Sequence, residues 1–275
     1  MTSGTRTTGA VADIGALAPG EHVCWAVDTD DDYHRLATSC MAAGTNDGDK
    51  VFYFGPEATL AASPGPAAAT AALDPAVTVL GGGALVPSVM LEMFHREAAS
   101  AAKEGYRALR VVADMDWVAR RVTPEELTAF ELNLDAVVHQ LGAVVICAYR
   151  TTTYSAEEVA QVNTVHPQEF GRPPDNLGFR VWSGGPQCWD VAGEVDCFNA
   201  DAFGFALASA AASGPVRVRL TGLAFIDVAG MRAIATAAAS VPTVRIQLEG
   251  PSETFVRCWT LLGYDALAPV VEVVR

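Results

Sequence analysis

The sequence predicts an α/β protein with two domains, a larger one with a doubly wound parallel sheet and a smaller one with its own sheet and helices. Three observations support this prediction. Short apolar segments typical of strands alternate with longer helical patterns along most of the chain. Those short segments are nearly continuous in Val, Ile and Leu, as in parallel strands that are buried on both faces. The length of 275 residues is sufficient for two hydrophobic cores.

The first domain shows five apolar segments of this kind, separated by helical patterns and glycine- or proline-containing turns. Helix starts are indicated by Asp28-Thr29-Asp30, which can cap a helix, and by Pro87 and Pro124, which suit a first helical turn. Predicted strands cover residues 22–27, 51–54, 77–80, 109–113 and 143–148, and predicted helices cover residues 31–43, 87–104, 124–140 and 156–165.

A break between the domains is predicted where the periodicity stops. The segment from His166-Pro167 to Gly178 combines three prolines and two glycines with polar residues, a composition typical of a linker. We therefore predict a first domain over residues 1–170 and a second domain over residues 178–275.

The second domain is organised around a strand, an aspartate and a helix. A strand over residues 216–220 is expected to end in a turn at Thr221-Gly222, after which a second apolar step leads to Asp227 and a helix over residues 229–239. Asp227 can cap this helix, contact a partner protein, or do both, because the first backbone N–H groups of a helix lack partners within it. Asn199 is likewise expected to cap a helix.

Composition and charge exclude several function classes. The net charge is −14 and no cluster of Lys or Arg interrupts the sequence, which argues against nucleic-acid binding. No apolar run approaches the roughly 18–20 residues of a membrane span, and the start shows no secretory signal, so a cytoplasmic, soluble protein is expected. The six cysteines form no CxxC pair, which favours free thiols. The loop after the first predicted strand reads AVDTDDD, so a P-loop nucleotide site is not expected.

Three segments of the second domain form a recognisable set: VAGEVDCFNADAF at residues 191–203, LTGLAFIDVAGM at residues 220–231 and SETFVRCWTLLGYDAL at residues 252–267. Together they are similar to STAS domains, the fold of anti-sigma factor antagonists. The resemblance implies a module that docks on an anti-sigma factor or a switch kinase. The implied partner-binding residues are Asp227, Val228, Ala229, Gly230 and Met231.

The phosphorylation switch of that family is not expected here. In its phospho-switched members a serine directly follows the aspartate, whereas Val228 and Ala229 follow Asp227 in this sequence. Neither side chain has a hydroxyl group to receive a phosphate and its roughly −1.5 to −2 charge. No phosphorylation site is predicted at these positions, and we expect the first domain to control the Asp227 surface by contact.

The first domain contains several short motifs: His22-x-Cys24, Asp114-x-Asp116-Trp117, Glu131-x-Asn133, Cys147-x-Tyr149 and His166-Pro167. In their order and spacing they resemble the MEDS sensory domain, which is found fused to signalling modules. The resemblance covers roughly residues 13–170. It implies a RecA/KaiC-like α/β fold, here without a P-loop, and binding of hydrocarbon derivatives or similar small effectors. The implied ligand-binding residues are His22, Cys24, Asp114, Asp116, Trp117, Glu131, Cys147, Tyr149 and His166.

The chemistry of these residues permits both a binding site and a purely structural role. Ligands of open parallel sheets bind beyond the carboxyl ends of the strands, where aromatic walls and a few carboxylates suit a small molecule. The residues expected at such ends are Asp114, Asp116, Trp117 and Tyr149. As structural residues, the cysteines are small buried hydrophobes, Trp117 packs in the core, His166 ends a helix, and Glu131 lies on a helix surface or in a buried hydrogen bond.

The cysteines and histidines leave an enzyme open as an alternative. A thiol and imidazole metal site is chemically sensible but lacks local ligand spacing, so no metal ion and no cofactor are predicted. Its residues are His22, Cys24, Cys147 and His166, which also define the rival function, a thiol- or metal-dependent hydrolase or transferase. The preferred function has no catalytic residue: a small hydrophobic effector gates a partner-binding module. Apolar surface on the second domain also leaves a homodimer open.

Overall fold

The structure is a computed structural model that describes residues 6–55, 71–73, 80–81, 84–171, 178–212 and 214–274. Most of the strand predicted over residues 77–80 therefore lies outside the described residues, and so does the part of the predicted linker over residues 172–177. No helix within the described ranges combines the length and the hydrophobicity needed to cross a membrane.

Seven strands form the first sheet, and every pairing between neighbours is parallel. In sheet order they are β1 (Gly9–Ala10), β9 (Gln168–Gly171), β2 (His22–Val27), β8 (Val144–Arg150), β7 (Leu109–Asp114), β3 (Lys50–Phe54) and β4 (Ala71–Leu73). A separate hairpin consists of β5 (Leu80–Gly81) and β6 (Ala84–Leu85). The first and last long strands, β2 and β8, are neighbours at the centre, where side chains are buried on both faces.

Helices cover both faces of this sheet, which confirms the doubly wound prediction. They are α1 (Asp30–Asn46), α2 (Pro87–Glu104), α3 (Pro124–Leu141) and α4 (Ala156–Asn163). The face with α1 forms one apolar core, and the face with the other three helices forms a second. The starts of α1, α3 and α4 are fixed by side-chain caps, because Thr29, Thr123 and Ser155 each accept a hydrogen bond from a backbone N–H of the first turn.

The smaller second domain has its own sheet and helices, as the sequence predicts, and its described residues form a sheet of five strands and four helices. Its strands, in sheet order, are β10 (Phe179–Gly185), β11 (Cys188–Val195), β12 (Val216–Ile226), β13 (Ile246–Glu249) and β14 (Val271–Val274). The first pair is antiparallel and the remaining pairs are parallel. Its helices are α5 (Ala200–Ala211), α6 (Val228–Ser240), α7 (Glu253–Leu261) and α8 (Tyr264–Leu267).

Three local predictions are wrong. The expected turn at Thr221-Gly222 is absent, because β12 continues to Ile226 with shifts of register against β11. A Cβ on Gly222 would lie 2.9 Å from the Val191 carbonyl oxygen, so glycine is needed there for the close approach of the two strands. The Asn199 side chain does not cap α5, since it accepts from Asp196 N and donates to the Glu194 carbonyl. Residues 168–171 of the predicted linker form β9.

The two domains share a packed interface. Helix α3 of the first domain packs against β10 and α5 of the second, and Leu132 and Val165 belong to the apolar core of the second domain. Val181 N of β10 donates to the Thr164 carbonyl over 2.7 Å, and Arg180 pairs with Glu169. The second domain thus uses residues of the first to complete its core.

Candidate functional site

A cluster of polar side chains is fully buried between the first sheet and α3. Strands β2 and β8 supply three members, α3 supplies two, and the segment that follows α4 supplies one. These residues are His22, Glu131, Asp135, Cys147, Tyr149 and His166. Burying so many polar groups is costly unless each is paired. The contacts within the cluster therefore decide what it can do.

Glu131 lies at the centre of the cluster. Its Oε2 atom is 3.3 Å from His22 Nε2, 3.4 Å from His166 Nε2 and 3.5 Å from Cys147 Sγ. Its Oε1 atom accepts a hydrogen bond of 2.6 Å from Tyr149 Oη. Burial alone would raise the pKa of Glu131, but the two histidines hold that pKa well below its usual range. The carboxylate is therefore ionised. Because the Glu131 side chain is fully buried, the alternative that it lies on the helix surface is wrong.

Asp135, one helical turn after Glu131, connects the cluster to the second domain. It accepts hydrogen bonds of 2.8 and 2.9 Å from the Arg6 guanidinium and one of 2.7 Å from Ser183 N on β10. Its Oδ1 atom also lies 3.3 Å from His22 Nδ1. Burial opposes ionisation, yet the charge of Arg6 and the contact with His22 lower the pKa of Asp135 to about 2. One carboxylate thus touches both domains.

The two histidines have different environments. Their rings lie 4.1 Å apart between centroids. Burial works against protonation of His22, but Asp135 and Glu131 together raise its pKa, whereas burial and the charge of His22 lower the pKa of His166. His166 Nδ1 lies 2.8 Å from the Val162 carbonyl oxygen, which can only accept, so this nitrogen carries the proton. Nε2 of a neutral His166 is then a bare lone pair that faces the cluster.

Asp114 and Asp116 belong to a different group, which is centred on Arg150 at the end of β8. Arg150 Nη1 lies 2.8 Å from a carboxylate oxygen of each aspartate, and its Nε lies 2.9 Å from Asp30 Oδ1. The guanidinium also stacks over the Tyr33 ring at 4.1 Å. These contacts pair both aspartates with Arg150, although within the described residues Asp116 Oδ1 has no hydrogen-bond partner. The structure therefore does not bring Asp114 and Asp116 to the buried cluster that contains His22 and His166.

Cys24 and Trp117 lie in the apolar core. Cys24 is paired in register with Cys147 on the neighbouring strand and is fully buried, and Trp117 packs edge-on against Phe54. Burial is the main cause that raises the pKa of the Cys24 and Cys147 thiols, and the charge of Glu131 raises both further. An activated cysteine nucleophile needs a lowered thiol pKa. Neither thiol has the environment that the thiol-dependent form of the alternative enzyme function requires.

The nine residues proposed as a ligand site thus fall into three sets. The structure brings together His22, Glu131, Cys147, Tyr149 and His166. Sequence reasoning missed Asp135, Arg6 and Arg150. Asp135 had a signal, because its spacing of four from Glu131 places both on one face of α3. Arg6 had none, because it precedes any regular pattern, and the partners of Arg150 come from distant segments.

One atom from each of four cluster residues could hold a metal ion. The atoms lie within 4.8 Å of one another and come from His22, Glu131, Cys147 and His166. Imidazole, carboxylate and thiolate are all common ligands of zinc in proteins.

On the second domain, Asp227 caps α6 as expected. Its carboxylate accepts from Gly230 N over 2.9 Å, and its own N–H donates to the Val195 carbonyl. Val228 beside it is 48% exposed and Phe225 is 51% exposed. Gly230 and Met231 are buried, so only the first three of the five residues implied for partner binding reach the surface. The surface formed by Phe225, Asp227, Val228 and Ala229 is called the Asp227 surface below.

Helix α5 lies between the interdomain contact and the Asp227 surface. It packs against α3 on one side and against α6 on the other. A groove of about 460 Å³ runs between α5 and α6, lined among others by Asp201, Gly204, Arg232 and Thr236. A Cβ on Gly204 would lie 3.2 Å from Ala233 Cβ, so the helices approach closely there. A shift of α5 would therefore displace α6.

Comparison with known families supports the two resemblances. The family model of the MEDS domain, the methanogen/methylotroph DcmR sensory domain, matches residues 21–167. The model of the STAS domain matches residues 185–275. The histidine cluster lies within the first match, and Asp227 lies within the second. No curated protein matches the chain.

Proposed function

Because this chain belongs to the MEDS sensory-domain family and also contains a STAS domain, we propose that it is a signalling regulator whose sensory domain controls a docking surface on its STAS domain. The docking partner is an anti-sigma factor or a switch kinase, and the input is a small effector sensed by the first domain. The protein acts in the cytoplasm and catalyses no reaction.

The observation that carries this proposal is the position of Asp135. The same carboxylate lies beside His22 in the buried cluster and accepts a hydrogen bond from Ser183 N on β10 of the second domain. Arg6 strengthens the link, because its guanidinium binds Asp135 and also donates to the Ser183 carbonyl over 3.2 Å. A change in the cluster that moves Asp135 must therefore move or break contacts of β10.

A second link starts at His166. Its carbonyl oxygen accepts a hydrogen bond of 2.9 Å from Arg180 on β10, and the same guanidinium group binds Asn163. Both segments that carry the cluster outside the sheet, α3 and the end of α4, are therefore attached to β10. An effector that favours one arrangement of these segments would shift the STAS domain between two states, provided that it binds the two states with different affinity.

The Asp227 surface is suited to docking of a partner protein and lacks an acceptor for phosphorylation directly after Asp227. It exposes the apolar side chains of Val228 and Phe225 and has no hydroxyl group directly after Asp227. Apolar side chains at the centre of an interface carry much of its affinity. Control through the interdomain contact replaces the control that phosphorylation exerts in other members of the STAS family.

The absence of thiol catalysis is supported by the environment of two cysteines. Cys24 and Cys147 are fully buried, and their raised pKa keeps them protonated in the structure described here. A buried protonated thiol is a poor nucleophile. A sensory role requires no such activation.

The docking proposal is tested by Val228→Glu in the full chain. The variant is titrated against purified anti-sigma factors and switch kinases of the source organism, and binding is measured by calorimetry. We expect loss of binding, because a charge at the centre of an apolar contact would be buried without a partner. Thr260→Glu adds the same charge at an exposed position of α7 and serves as the matched control. Equal affinity of Val228→Glu and the unmodified chain for every partner that binds would refute the docking surface.

A further inference from the structure

The buried cluster has the composition and spacing of a metal centre. We propose that it binds one zinc ion through four side-chain atoms: His22 Nε2, Glu131 Oε2, Cys147 Sγ and His166 Nε2. This inference goes beyond the proposed function and does not depend on it, since a regulator of this kind could sense its effector with or without a metal.

Four of the six distances between the ligand atoms match the edges of a tetrahedron around zinc, and all six lie within 4.8 Å. With bonds of about 2.0–2.2 Å to nitrogen or oxygen and about 2.3 Å to sulfur, tetrahedral geometry places two nitrogen or oxygen ligands about 3.3–3.5 Å apart, and sulfur about 3.5–3.7 Å from either. Glu131 Oε2 lies 3.3 and 3.4 Å from the two histidine Nε2 atoms. Cys147 Sγ lies 3.5 Å from Glu131 Oε2 and 3.5 Å from His22 Nε2. These four edges agree with one central ion.

The same distances are poor for a network held only by hydrogen bonds. Nitrogen to oxygen hydrogen bonds are usually about 2.7–3.2 Å long, so both contacts of Glu131 Oε2 with histidine nitrogens are too long. Within the described part of the chain, His166 Nε2 is fully buried and has no partner with hydrogen-bond geometry. With its proton on Nδ1, this lone pair faces Glu131 Oε2, which can also only accept, at 3.4 Å. A cation between the two atoms would give both of them a partner.

The surroundings of the ligands orient them as second-sphere partners of metal sites do. His166 Nδ1 donates to the Val162 carbonyl, and His22 Nδ1 faces Asp135 Oδ1 at 3.3 Å without hydrogen-bond geometry, so that both Nε2 atoms point inward. Tyr149 Oη donates a hydrogen bond to Glu131 Oε1, so that Oε2 is the oxygen available to the ion. Carboxylate and carbonyl partners on the far nitrogen of a ligand histidine are characteristic of zinc sites.

The charges also suit a divalent ion in a buried site. Zinc with the Glu131 carboxylate, the Cys147 thiolate and two neutral imidazoles has a net charge of zero, and binding releases the thiol proton to solvent. Four protein ligands with no exposed position correspond to a closed structural site. Cys24, although it pairs in register with Cys147, is not among the four atoms.

Such an ion would join the parts of the sensory domain that touch the STAS domain. Its ligands come from β2, β8, α3 and the end of α4, and the last two of these contact β10. Metal binding would therefore stabilise the full chain, because it binds only the folded arrangement of four distant residues.

The test is the metal content of the full chain, purified with a tag that contains no histidine and without chelators. Elemental mass spectrometry should find one zinc per chain. Metal-free protein, prepared with a chelator, should regain one equivalent of Zn²⁺ and melt at a higher temperature with it. Less than a tenth of an equivalent in the purified protein, together with no uptake by the metal-free protein, would overturn the proposal.

Two further measurements assign the ligands. Cys147→Ala should lose at least 90% of the metal, whereas Cys24→Ala, a matched change on the neighbouring strand, should keep it. Because Cys147→Ala could also fail to fold, X-ray absorption of the zinc-loaded unmodified chain provides an independent check: we expect one sulfur neighbour at about 2.3 Å and three lighter neighbours at about 2.0–2.2 Å. Equal metal loss in both variants, or a zinc spectrum without sulfur, would refute this ligand set. Neither result would bear on partner binding at Val228.

Discussion

Replacing Asp135 by alanine should destabilise both domains at once, because one buried carboxylate serves both. It accepts two hydrogen bonds from Arg6 and one from Ser183 N, and it lies beside His22. Without it, the Arg6 guanidinium, which is only 9% exposed, loses its buried anion. The Ser183 N–H, which is buried, is left without its acceptor.

The expected cost follows from these contacts. Removing one partner of a buried ion pair costs about 3–5 kcal/mol, and an orphaned buried amide costs about 1–3 kcal/mol. The two penalties overlap, because the same cavity can admit water to both groups. We therefore expect Asp135→Ala to lower the free energy of unfolding by about 3–5 kcal/mol. Asp135→Asn keeps an acceptor for Ser183 N but loses the charge, so a smaller loss of about 1.5–3 kcal/mol is expected.

The assay is urea unfolding of the full chain, followed by tryptophan fluorescence and far-ultraviolet circular dichroism. Coincident transitions of the two probes would show that the domains unfold together. Glu272→Ala is the control, since Glu272 forms an exposed ion pair of 3.4 Å with Arg245, and such pairs contribute little. A loss for Asp135→Ala no larger than that of the control would refute the buried link between the domains.

Three other outcomes are expected. In the native chain a thiol reagent should modify the exposed Cys197 and should spare Cys24 and Cys147 until urea unfolds the protein. Mass spectrometry of the labelled peptides measures this, and fast labelling of either buried thiol would instead support a thiol enzyme. Arg150→Met should lower the free energy of unfolding by about 3–5 kcal/mol, because buried aspartate loses its cation, and urea titration should show a smaller loss for Arg150→Lys. A fragment of residues 178–275 should bind a hydrophobic dye that the full chain does not bind, since its core lacks the residues that the first domain supplies; no difference in dye fluorescence would contradict the shared core.

Local patterns in the sequence were sufficient for much of the fold. The strand over residues 22–27 and the helix over residues 87–104 have the predicted bounds, because apolar continuity and a proline at the helix start are local signals. The turn expected at Thr221-Gly222 failed for a nonlocal reason. Glycine there accommodates the backbone of β11, and only the paired strand reveals whether a glycine marks a turn or a close approach.

The candidate site was harder to predict, because its residues meet only through the order of the strands. His22 and Cys147 are close because β2 and β8 are neighbours, and no spacing along the chain indicates that pairing. The metal site considered from the sequence contained Cys24, whereas the structure groups Glu131 with His22, Cys147 and His166. The helical spacing of Glu131 and Asp135 was visible, but its meaning depended on which face of α3 met the sheet and which met β10.

The most direct test of the account is whether a change in the buried cluster reaches the docking surface. The measurement is the dissociation constant of an anti-sigma factor or switch kinase for the unmodified chain and for Asp135→Asn, both held in conditions where calorimetry shows them folded. Asp135 lies far along the chain from Asp227, and the structure shows it in contact with β10, not with the Asp227 surface. We predict a change of about 5–150-fold, the usual size of coupling between two sites. Equal dissociation constants for the two proteins would contradict the claim that the sensory domain controls the STAS domain through this contact.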